Sequence, residues 1–429
     1  MKRRIKKFLQ TVLFWSAKRI LRCYQPEIIA ITGSIGKTST KEAIYQVLSQ
    51  KFLVWRNQKN YNNEIGLPLT ILGLESGGKS KILWLGVLIQ AQWRAIFGLK
   101  NYPKILVLEM GADHPGDLAY LVNLARPQVS VVTLVAPVHL EFFKTIENIA
   151  KEKSEIIKAL PAQGLAVLNA DDDLVLSMKK LSVAPTLTFG LSENADLRAS
   201  EIRLSFIDQT LQGLSFKVNY LGSTVPMLLS QVIAEQLVPD ILAAVAVGLH
   251  YGLNLLEIAQ ALKTWRQPKG RMNLILGIKN TLIIDDTYNA SPQSSVAAIA
   301  VLAKVPVPTG KKRIAVFGDL LELGEYTKAG HEEVAQAIVD QQIDELITVG
   351  KFAKIISDQA SKLGLASAQI HHFADNKSAG HFVQELIQSG EVVLVKGSQG
   401  ARLEKVVKEI MVQPEKAKEL LVRQEKPWQ

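Results

Sequence analysis

A short glycine-rich segment near the start of the chain combines residue types that bind phosphate. In the stretch ITGSIGKTST at 31–40, Gly33 and Gly36 precede Lys37 and Thr38. Glycines let backbone N–H groups turn towards phosphate oxygens, a lysine supplies a cation, and a threonine hydroxyl is a ligand for Mg²⁺. The segment therefore predicts a site for ATP and Mg²⁺. The expected nucleotide contacts are the loop residues Gly33, Ser34, Gly36, Lys37, Thr38 and Ser39.

A phosphate-binding loop must lie between a strand and a helix, and the flanking sequence predicts both. The apolar run at 27–31 indicates a short buried strand, and 40–48 has the spacing of a helix. The helix N-terminus would favour an anion. Only Ser34 and Ile35 separate the two glycines, whereas the usual loop has four residues there. An incidental glycine-rich turn is the alternative.

Three further residues are candidates for chemistry because of where they stand in the sequence. Glu109 ends the apolar strand predicted at 105–108, and His139 follows the one predicted at 129–135. Parallel sheets bind ligands at the carboxyl ends of their strands, which favours both positions. Taken alone, a single histidine is more often a structural group, and a helical lysine such as Lys153 is more often a solvated charge.

Length and charge limit the classes of function. At 429 residues the chain is long enough for two or three domains, and its 48% apolar and 21% charged residues are typical of a globular protein. The single cysteine, Cys23, excludes an intramolecular disulfide and suits a reducing cytosol. Residues 1–26 carry eight basic and no acidic residues, which leaves +2 of the net charge of +10 for the rest. A nucleic-acid groove outside this segment is therefore not expected.

Residues 1–26 are predicted to form a basic amphipathic helix. Its apolar residues recur at helical spacing among the basic ones: Ile5, Phe8, Leu9, Val12, Trp15 and Ile20. The apolar run is shorter than the roughly 20 residues that span a bilayer. Lys18, Arg19 and Arg22 occupy the place of a signal-peptide cleavage site. A peripheral anchor at the inner face of the membrane and a helix packed against the next domain both remain open.

The sequence after this helix predicts an α/β fold. Between residues 27 and 180, apolar strands alternate with helical patterns, which indicates a P-loop domain with a mostly parallel sheet covered on both faces. Short alternating runs at 195–230 predict antiparallel strands added to the edge of this sheet.

The last third of the chain predicts a second α/β unit of the doubly wound, Rossmann-like type. Its strands are expected at 281–285, 313–317, 345–349 and 391–395, with helices between them. We expect a terminal helix at 1–26, a central nucleotide-binding domain at 27–269 and a C-terminal domain at 270–429.

The shortened loop resembles the one found in the Mur ligases and the folylpolyglutamate synthases. Six further segments resemble successive motifs of one Mur ligase branch, which adds D-alanyl-D-alanine to a peptidoglycan precursor. They are YNNEIGLPLTIL at 61–72, LEMGADHPGDLAYL at 108–121, VAPVHLEFFKTIENIAKEKSEI at 135–156, IDDTYNASPQSS at 284–295, FGDLLELGEYTKAGH at 317–331 and LVKGSQGARLEKVV at 394–407. The resemblance runs in order from about residue 27 to residue 411.

The resemblance implies an ATP-dependent, ADP-forming ligase. Its substrates would be ATP, D-alanyl-D-alanine and a UDP-N-acetylmuramoyl-tripeptide. Amide formation at neutral pH needs a better leaving group than hydroxide, which phosphorylation of the carboxylate supplies as an acyl phosphate. Two Mg²⁺ ions, a cytoplasmic location and a monomeric state belong to the same expectation.

The resemblance also implies the metal ligands. Thr38 and Glu109 would share one Mg²⁺, and His139 would bind a second one with Lys153. The matching lysine of the family carries CO₂ as a carbamate, which turns a cation into an anionic oxygen ligand. Lys151 does not match the pattern, so the carbamate is expected on Lys153. The residues expected to act in catalysis are Lys37, His139, Lys153 and Arg271.

Further contacts are implied on both sides of residue 270. Arg271 would reach the terminal phosphate when the domains close. Asp286 and Asn289 would face the nucleotide, although Asn289 also suits a helix cap. The residues expected at the peptide substrates are Asn62, Asn63, Lys396 and Ser398, and for the two asparagines turn formation is the alternative.

The sequence departs from the family at several positions. Only about 30 residues precede the loop, so an independent UDP-sugar domain ahead of it is not expected. Gln236 and Asp240 stand where the family has a histidine and an asparagine, the latter near the adenine. A Mur-type ligase that acts on a different or membrane-associated carboxylate is therefore one alternative. A non-catalytic ATP-binding scaffold is another.

Overall fold

The computed structural model describes residues 2–58, 61–78, 80–138, 140–207, 210–230 and 232–424. The chain divides into two compact units, each with its own sheet. The first unit comprises Met1–Ser230 and Glu235–Trp265. The second comprises Gln231–Ala234 and Arg266–Gln429.

The first unit is built on a nine-stranded sheet with the order β2-β3-β1-β4-β5-β6-β7-β8-β9. Its strands are β1 (Glu27–Thr32), β2 (Val54–Arg56), β3 (Ile105–Glu109), β4 (Val129–Val132), β5 (Leu165–Asn169), β6 (Thr186–Gly190), β7 (Leu197–Ile207), β8 (Thr210–Tyr220) and β9 (Ser223–Ser230). Neighbouring strands are parallel from β2 to β7, whereas β7, β8 and β9 pair antiparallel. The predicted antiparallel extension at the sheet edge is confirmed.

Eleven helices in the described part of the first unit accompany this sheet. They are α1 (Lys2–Tyr24), α2 (Lys37–Leu48), α3 (Gly66–Leu72), α4 (Lys81–Phe97), α5 (Asp117–Leu124), α6 (Leu140–Phe143), α7 (Ile146–Lys153), α8 (Glu155–Lys158), α9 (Asp173–Ser177), α10 (Val238–His250) and α11 (Leu255–Lys263). All five residues of β3 and all four of β4 are buried, as expected for parallel strands covered on both faces.

Helix α1 is packed on the first unit along one of its sides. Leu13, Ala17 and Ile20 are fully or almost fully buried in a core that also includes Leu106 of β3 and Ala91 of α4. The alternative of a helix packed against the next domain therefore holds for this side of α1. Among the described residues, no helix is long and apolar enough to cross a bilayer.

The second unit contains a six-stranded sheet with the order β10-β11-β15-β12-β13-β14. The strands are β10 (Asn273–Gly277), β11 (Thr281–Asp286), β12 (Arg313–Gly318), β13 (Glu345–Val349), β14 (Ile370–Phe373) and β15 (Val392–Lys396). The helices are α12 (Pro292–Lys304), α13 (Thr327–Asp340), α14 (Lys354–Lys362), α15 (Asn376–Leu386), α16 (Glu404–Ile410) and α17 (Ala417–Leu420). Only β10 pairs antiparallel in this sheet.

Helices cover both faces of the second sheet. Ile283 and Val393 belong to the core under α15 and α16. Their neighbours Ile284 and Leu394 are equally buried, and successive strand residues point to opposite faces. The predicted fold class, a mostly parallel P-loop domain followed by a Rossmann-like domain, is confirmed.

Candidate active site

The loop between β1 and α2 is tightly enclosed, which explains its two glycines. Gly36 has φ +88° and caps α2, and a Cβ atom there would lie 2.2 Å from Oδ1 of Asp240. A Cβ atom on Gly33 would lie 1.9 Å from Oγ1 of Thr133. A side chain at Gly36 or Gly33 would therefore have to displace the side chain of Asp240 or Thr133. The loop leaves the backbone at the start of α2 open to an anion, because no side chain caps that helix end.

The segment after β4 holds the loop in place through hydrogen bonds. Thr133 Oγ1 donates to the carbonyl of Ile35 at 2.5 Å. Ser34 Oγ donates to the carbonyl of Ala136 and accepts from its N–H, at 3.0 Å and 2.9 Å. The Ser34 N–H donates to Leu134. These bonds tie both residues between the glycines, Ser34 and Ile35, to the segment after β4.

Lys37 lies in the first turn of α2 and folds back over the loop. Its ammonium group donates to the carbonyls of Gly33 and Ser34, at 2.7 Å and 3.2 Å. The cation therefore lies at the loop that would hold the phosphates. Ser39 is buried in the same helix, and its contact with the nucleotide stays a prediction.

Thr38 and Glu109 meet at the carboxyl end of β3. The threonine hydroxyl donates to Glu109 Oε2 at 3.0 Å, and the Asn62 amide donates to Oε1 at 3.1 Å. Lys41 contributes a cation 3.6 Å from Oε2. Hydroxyl and carboxylate oxygens are ligands that Mg²⁺ prefers, so this pair fits such an ion beside a phosphate loop.

Asn57 fixes the backbone of Glu109. Its amide oxygen accepts from the Glu109 N–H at 2.8 Å, and its amide nitrogen donates to the carbonyls of Glu109 and Tyr61, at 2.9 Å and 3.0 Å. The side chain is fully buried. Asn57, the first residue after β2, therefore sets the direction of the Glu109 carboxylate at the end of β3. Nothing in the sequence around Asn57 signals this role beyond its place after a strand.

Lys41 is a second residue that the sequence analysis did not single out. Its side chain is almost completely buried, with its ammonium 3.4 Å from Glu42 and 3.6 Å from Glu109. It follows Lys37 by one helical turn, so the two lysines lie on the same side of α2. That spacing was the available signal.

Asn63 and Asn62 differ in the contacts that their side chains make. Asn63 Oδ1 accepts from the N–H groups of Ile65 and Gly66 at the start of α3, at 3.2 Å and 2.9 Å. This is the turn-forming role that was the alternative. Asn62 instead contacts the carboxylate of Glu109. Binding of substrate by either asparagine stays a prediction.

Lys153 ends α7 with only 3% of its side chain exposed, whereas Lys151 is exposed. The pKa of the Lys153 ammonium is lowered to about 7, chiefly by burial and also by the cation of Lys37, while Glu152 and Asp113 oppose the shift. The neighbouring Glu152 accepts from the N–H groups of Gly116 and Leu118 and so anchors the start of α5. A substantial share of Lys153 is therefore a neutral amine near pH 7.

His139 lies outside the described residues, so the second predicted metal site cannot be assembled around it. Within the described part of the chain, no group of three or more His, Cys, Asp or Glu side chains could hold a metal ion. The predicted ligand pairs include Thr38 and a lysine carbamate, which are not His, Cys, Asp or Glu side chains. The absence of such a group therefore does not test these pairs.

The second unit brings together four of the predicted residues at the carboxyl end of its sheet. The Lys396 ammonium lies 2.6 Å from Oδ2 of Asp286 and donates to the carbonyl of Asn289 at 3.0 Å. Ser398 Oγ donates to the carbonyl of Ala290 at 3.2 Å. Lys396 and Ser398 are buried and brace the segment after β11. Their predicted contact with the dipeptide stays a prediction.

Arg271 lies at the start of the same unit. Its guanidinium group stacks over the ring of Tyr288, 4.4 Å from the centroid. Tyr288 also donates its N–H to the carbonyl of Gly270. Arg271 is thereby held beside the segment that carries Asp286 and Asn289.

Comparison with protein families places the chain among ATP-dependent ligases. The model of the Mur ligase middle domain matches residues 31–86 and 89–248, and that of the Mur ligase glutamate ligase domain matches residues 270–399. The chain belongs to the Mur ligase family, whose members form an amide bond and release ADP from ATP.

Within the family, individual relatives carry the name UDP-N-acetylmuramoyl-tripeptide–D-alanyl-D-alanine ligase. The Bacillus subtilis enzyme is 30% identical over 406 residues, which cover 94% of this chain and 80% of the relative. The Escherichia coli enzyme is 32% identical over 383 residues, covering 89% and 76%. The predicted resemblance to this branch is confirmed.

Solved structures agree with the sequence relatives. MurF from Acinetobacter baumannii superposes with a TM-score of 0.77 at 29% identity, covering 93% of this chain and 79% of that one. The MurF ligase from Thermotoga maritima in complex with ADP gives a TM-score of 0.72 at 29% identity, covering 94% and 83%.

Proposed function

We propose that this chain joins D-alanyl-D-alanine to a UDP-N-acetylmuramoyl-tripeptide at the expense of ATP. The relatives that share about 30% of its residues over most of their length carry the name of this activity. The observation that carries the proposal is the contact of Thr38 with Glu109, 3.0 Å apart, beside an enclosed phosphate loop. This pair would hold the Mg²⁺ that phosphoryl transfer from ATP requires.

The reaction would proceed in two balanced steps. A carboxylate oxygen of the tripeptide attacks the terminal phosphorus of ATP, the bond to the bridging oxygen breaks, and ADP leaves. The amine of D-alanyl-D-alanine then attacks the acyl carbon, and inorganic phosphate leaves as the amide forms. The amine loses one proton overall. The products are the UDP-N-acetylmuramoyl-pentapeptide, ADP and phosphate.

The residues of the first unit would hold the nucleotide for this transfer. The backbone of the loop and the ammonium group of Lys37 would bind the phosphate oxygens. Thr38 and Glu109 would hold one Mg²⁺, which when bound neutralises charge on the phosphates. Asn62 and Lys41 would keep the carboxylate of Glu109 in position, as their contacts with it indicate.

Lys153 would serve as a carbamate that binds a second Mg²⁺ with His139. Its nitrogen forms a bond to the carbon of CO₂ and releases a proton, which requires the neutral amine. The burial of the side chain and its pKa of about 7 support this assignment, because an ordinary exposed lysine is almost entirely protonated at neutral pH.

Residues of the second unit would complete the binding of substrates. We assign Asp286 and Asn289 to the nucleotide and Arg271 to its terminal phosphate. The support is their common position at the carboxyl end of the second sheet, where folds of this type bind ligands. Lys396 and Ser398 are assigned to the dipeptide, directly or through the segment that they brace.

The enzyme would act as a monomer in the cytoplasm, at the inner face of the membrane. ATP is available in that compartment, and the single cysteine suits its reducing conditions. The basic residues of α1 would provide the contact with the membrane. Residues 1–26 carry eight of the ten net positive charges, and the charge of the remaining sequence is nearly balanced.

The direct test is a ligation assay with the purified chain. Phosphate release and the mass of the product are measured with ATP, Mg²⁺, D-alanyl-D-alanine and a panel of UDP-N-acetylmuramoyl-tripeptides, omitting one component at a time. We expect phosphate release only in the complete mixture. The product should be heavier than the UDP-N-acetylmuramoyl-tripeptide by two alanine residues. Phosphate release that ignores the dipeptide would overturn the proposal.

A further inference from the structure

Helix α4 carries a continuous apolar stripe on the side that faces away from the protein. Its members are large, exposed side chains at helical spacing: Ile82, Leu85, Ile89, Trp93, Ile96 and Phe97. Ile89 is 63% exposed, Trp93 58% and Phe97 71%. Single exposed apolar residues are ordinary on a protein surface, but a stripe over four turns of one helix marks an interaction site.

The opposite side of α4 is already used by the protein. Val87, Ala91 and Ala95 are buried, and the first two belong to the core that α1 also joins. The helix is therefore apolar on two opposite sides, whereas a surface helix of a globular protein has a polar outer face. The exposed stripe is not needed for packing of the first unit.

Helix α1 lies beside α4 and adds a second set of exposed residues. The Gln92 amide donates to Ser16 Oγ at 2.9 Å, and the Tyr24 hydroxyl donates to the carbonyl of Leu99 at 2.7 Å. The outer side of α1 presents two large apolar side chains, followed by two arginines: Phe8, Trp15, Arg19 and Arg22. We call these residues, together with the stripe on α4, the α1–α4 surface.

We propose that the α1–α4 surface binds the interfacial region of an anionic lipid bilayer. The apolar side chains would enter the boundary between headgroups and acyl chains, and the arginines would contact lipid phosphates. Tryptophan is the residue type that favours this boundary, and Trp15 and Trp93 are both exposed on the surface. This inference deepens the membrane contact proposed above for α1, and it does not rest on the ligase activity, because none of these residues is assigned to the active site.

The charge of α1 decides between a bilayer and a second copy of the chain. Residues 1–26 carry eight basic and no acidic side chains. Two copies meeting through this surface would bring their basic segments together, which costs free energy. An anionic bilayer instead attracts them and gains affinity with each basic residue. The helices would lie on the bilayer, since none in the described part can cross it.

The test is sedimentation of the full chain with lipid vesicles. We expect binding to vesicles of equal parts phosphatidylglycerol and phosphatidylcholine, and much weaker binding to phosphatidylcholine alone. The double variant Ile89→Asp, Trp93→Asp should lower the partition coefficient by at least about tenfold, because both side chains would be lost from the apolar phase. Arg19→Gln with Arg22→Gln should lower it about fivefold per charge, on anionic vesicles only.

Leu256→Asp is the matched control, since Leu256 is 69% exposed on α11 in the same unit. It should bind vesicles as the unaltered chain does. Circular dichroism confirms the fold of each variant, and quenching of tryptophan fluorescence by brominated lipid reports insertion of the rings. Equal partition of the Asp double variant and the control would overturn the proposal. So would a dimer that forms without vesicles and is abolished by the same double variant.

Discussion

At the scale of single residues, the carboxylate of Glu109 is the centre of the first unit's site. Thr38 and Asn62 donate hydrogen bonds to its two oxygens, and Lys41 lies 3.6 Å from one of them. Because the backbone is also tied to Asn57, the side chain has little freedom to turn. An oriented carboxylate beside a hydroxyl is what a metal ligand pair requires.

Replacing Glu109 by glutamine should lower kcat roughly 100-fold or more and raise the Mg²⁺ concentration needed for half-maximal activity, because an amide keeps the shape but binds metal weakly. Steady-state rates across a Mg²⁺ titration measure both effects. Glu42→Gln is the matched control, since Glu42 pairs with Lys41 and Arg56 and is not assigned to the metal. An unchanged Mg²⁺ dependence would remove Glu109 from the metal site.

Lys153 gives a second prediction at this scale, with a pH dependence. Its pKa of about 7 means that half of the amine is neutral at that pH, and the neutral fraction falls about tenfold for each unit below. At a fixed concentration of dissolved CO₂, carbamate formation and activity should therefore decline as the pH falls below 7.

Lys153→Arg should abolish ligation, because arginine stays protonated and cannot carry CO₂. Lys151→Arg, on the exposed side of the same helix, should leave it unchanged. NMR with ¹³C-labelled bicarbonate should show a carbamate signal in the unaltered chain and in Lys151→Arg, but not in Lys153→Arg. Full activity of Lys153→Arg would exclude the carbamate.

At the scale of elements, the sequence predicted the ends of strands but not the side chains that tie the ends together. Buried parallel strands need apolar residues throughout, so the apolar run before Glu109 was enough to predict β3. Asn57 and Lys41 were missed because their partner is 52 residues from Asn57 and also distant from Lys41, and no local pattern encodes such a contact. Lys396 ends β15 and Ser398 follows two residues later, yet their buried hydrogen bonds depend on a loop that is distant in the sequence.

The three hydrogen bonds of Asn57 predict a large cost for its removal. Asn57→Ala should destabilise the first unit by about 3 kcal/mol, since buried partners on β3 and at Tyr61 lose their bonds. In Asn57→Asp, a carboxylate would face two carbonyl oxygens, which raises its pKa in the folded state above the unfolded value. Its destabilisation should then grow as the pH rises from 4 to 7.

Urea unfolding followed by tryptophan fluorescence measures this, because Trp15, Trp55, Trp84, Trp93 and Trp265 all belong to the first unit. Asn219→Asp, on the partly exposed strand β8, is the control and should show much smaller changes. If Asn57→Asp were destabilised equally at both pH values, the position would not face the two carbonyls as described.

At the scale of the whole molecule, both units bury charged groups, and one of these groups links the stability of the second unit to pH. The second unit buries the carboxyl group of Asp285 completely at the end of β11. Oδ1 accepts from the N–H and hydroxyl of Thr287, at 3.2 Å and 2.6 Å, while Oδ2 has no hydrogen-bond partner among the described residues. The pKa of Asp285 is raised to about 7, chiefly by burial; the hydrogen bonds from Thr287 oppose this shift, and the carboxylates of Asp286 and Glu404 add to it.

This shift makes the stability of the second unit depend on pH. The folded state keeps the Asp285 proton up to about pH 7, whereas the unfolded chain loses it near 3.8, so the stabilisation is complete below 3.8 and is lost as the pH rises to 7. Asp285→Asn cannot ionise and should be more stable than the unaltered chain by up to about 4 kcal/mol at pH 8, with little difference at pH 4. The free energy of unfolding of the second unit alone is measured in urea by pulsed hydrogen exchange, read from peptides that contain β11 and β15. Asp340→Asn, exposed on α13, is the control and should show no such trend. If Asp285→Asn raised the stability equally at both pH values, the carboxyl group of Asp285 would be ionised in the folded protein.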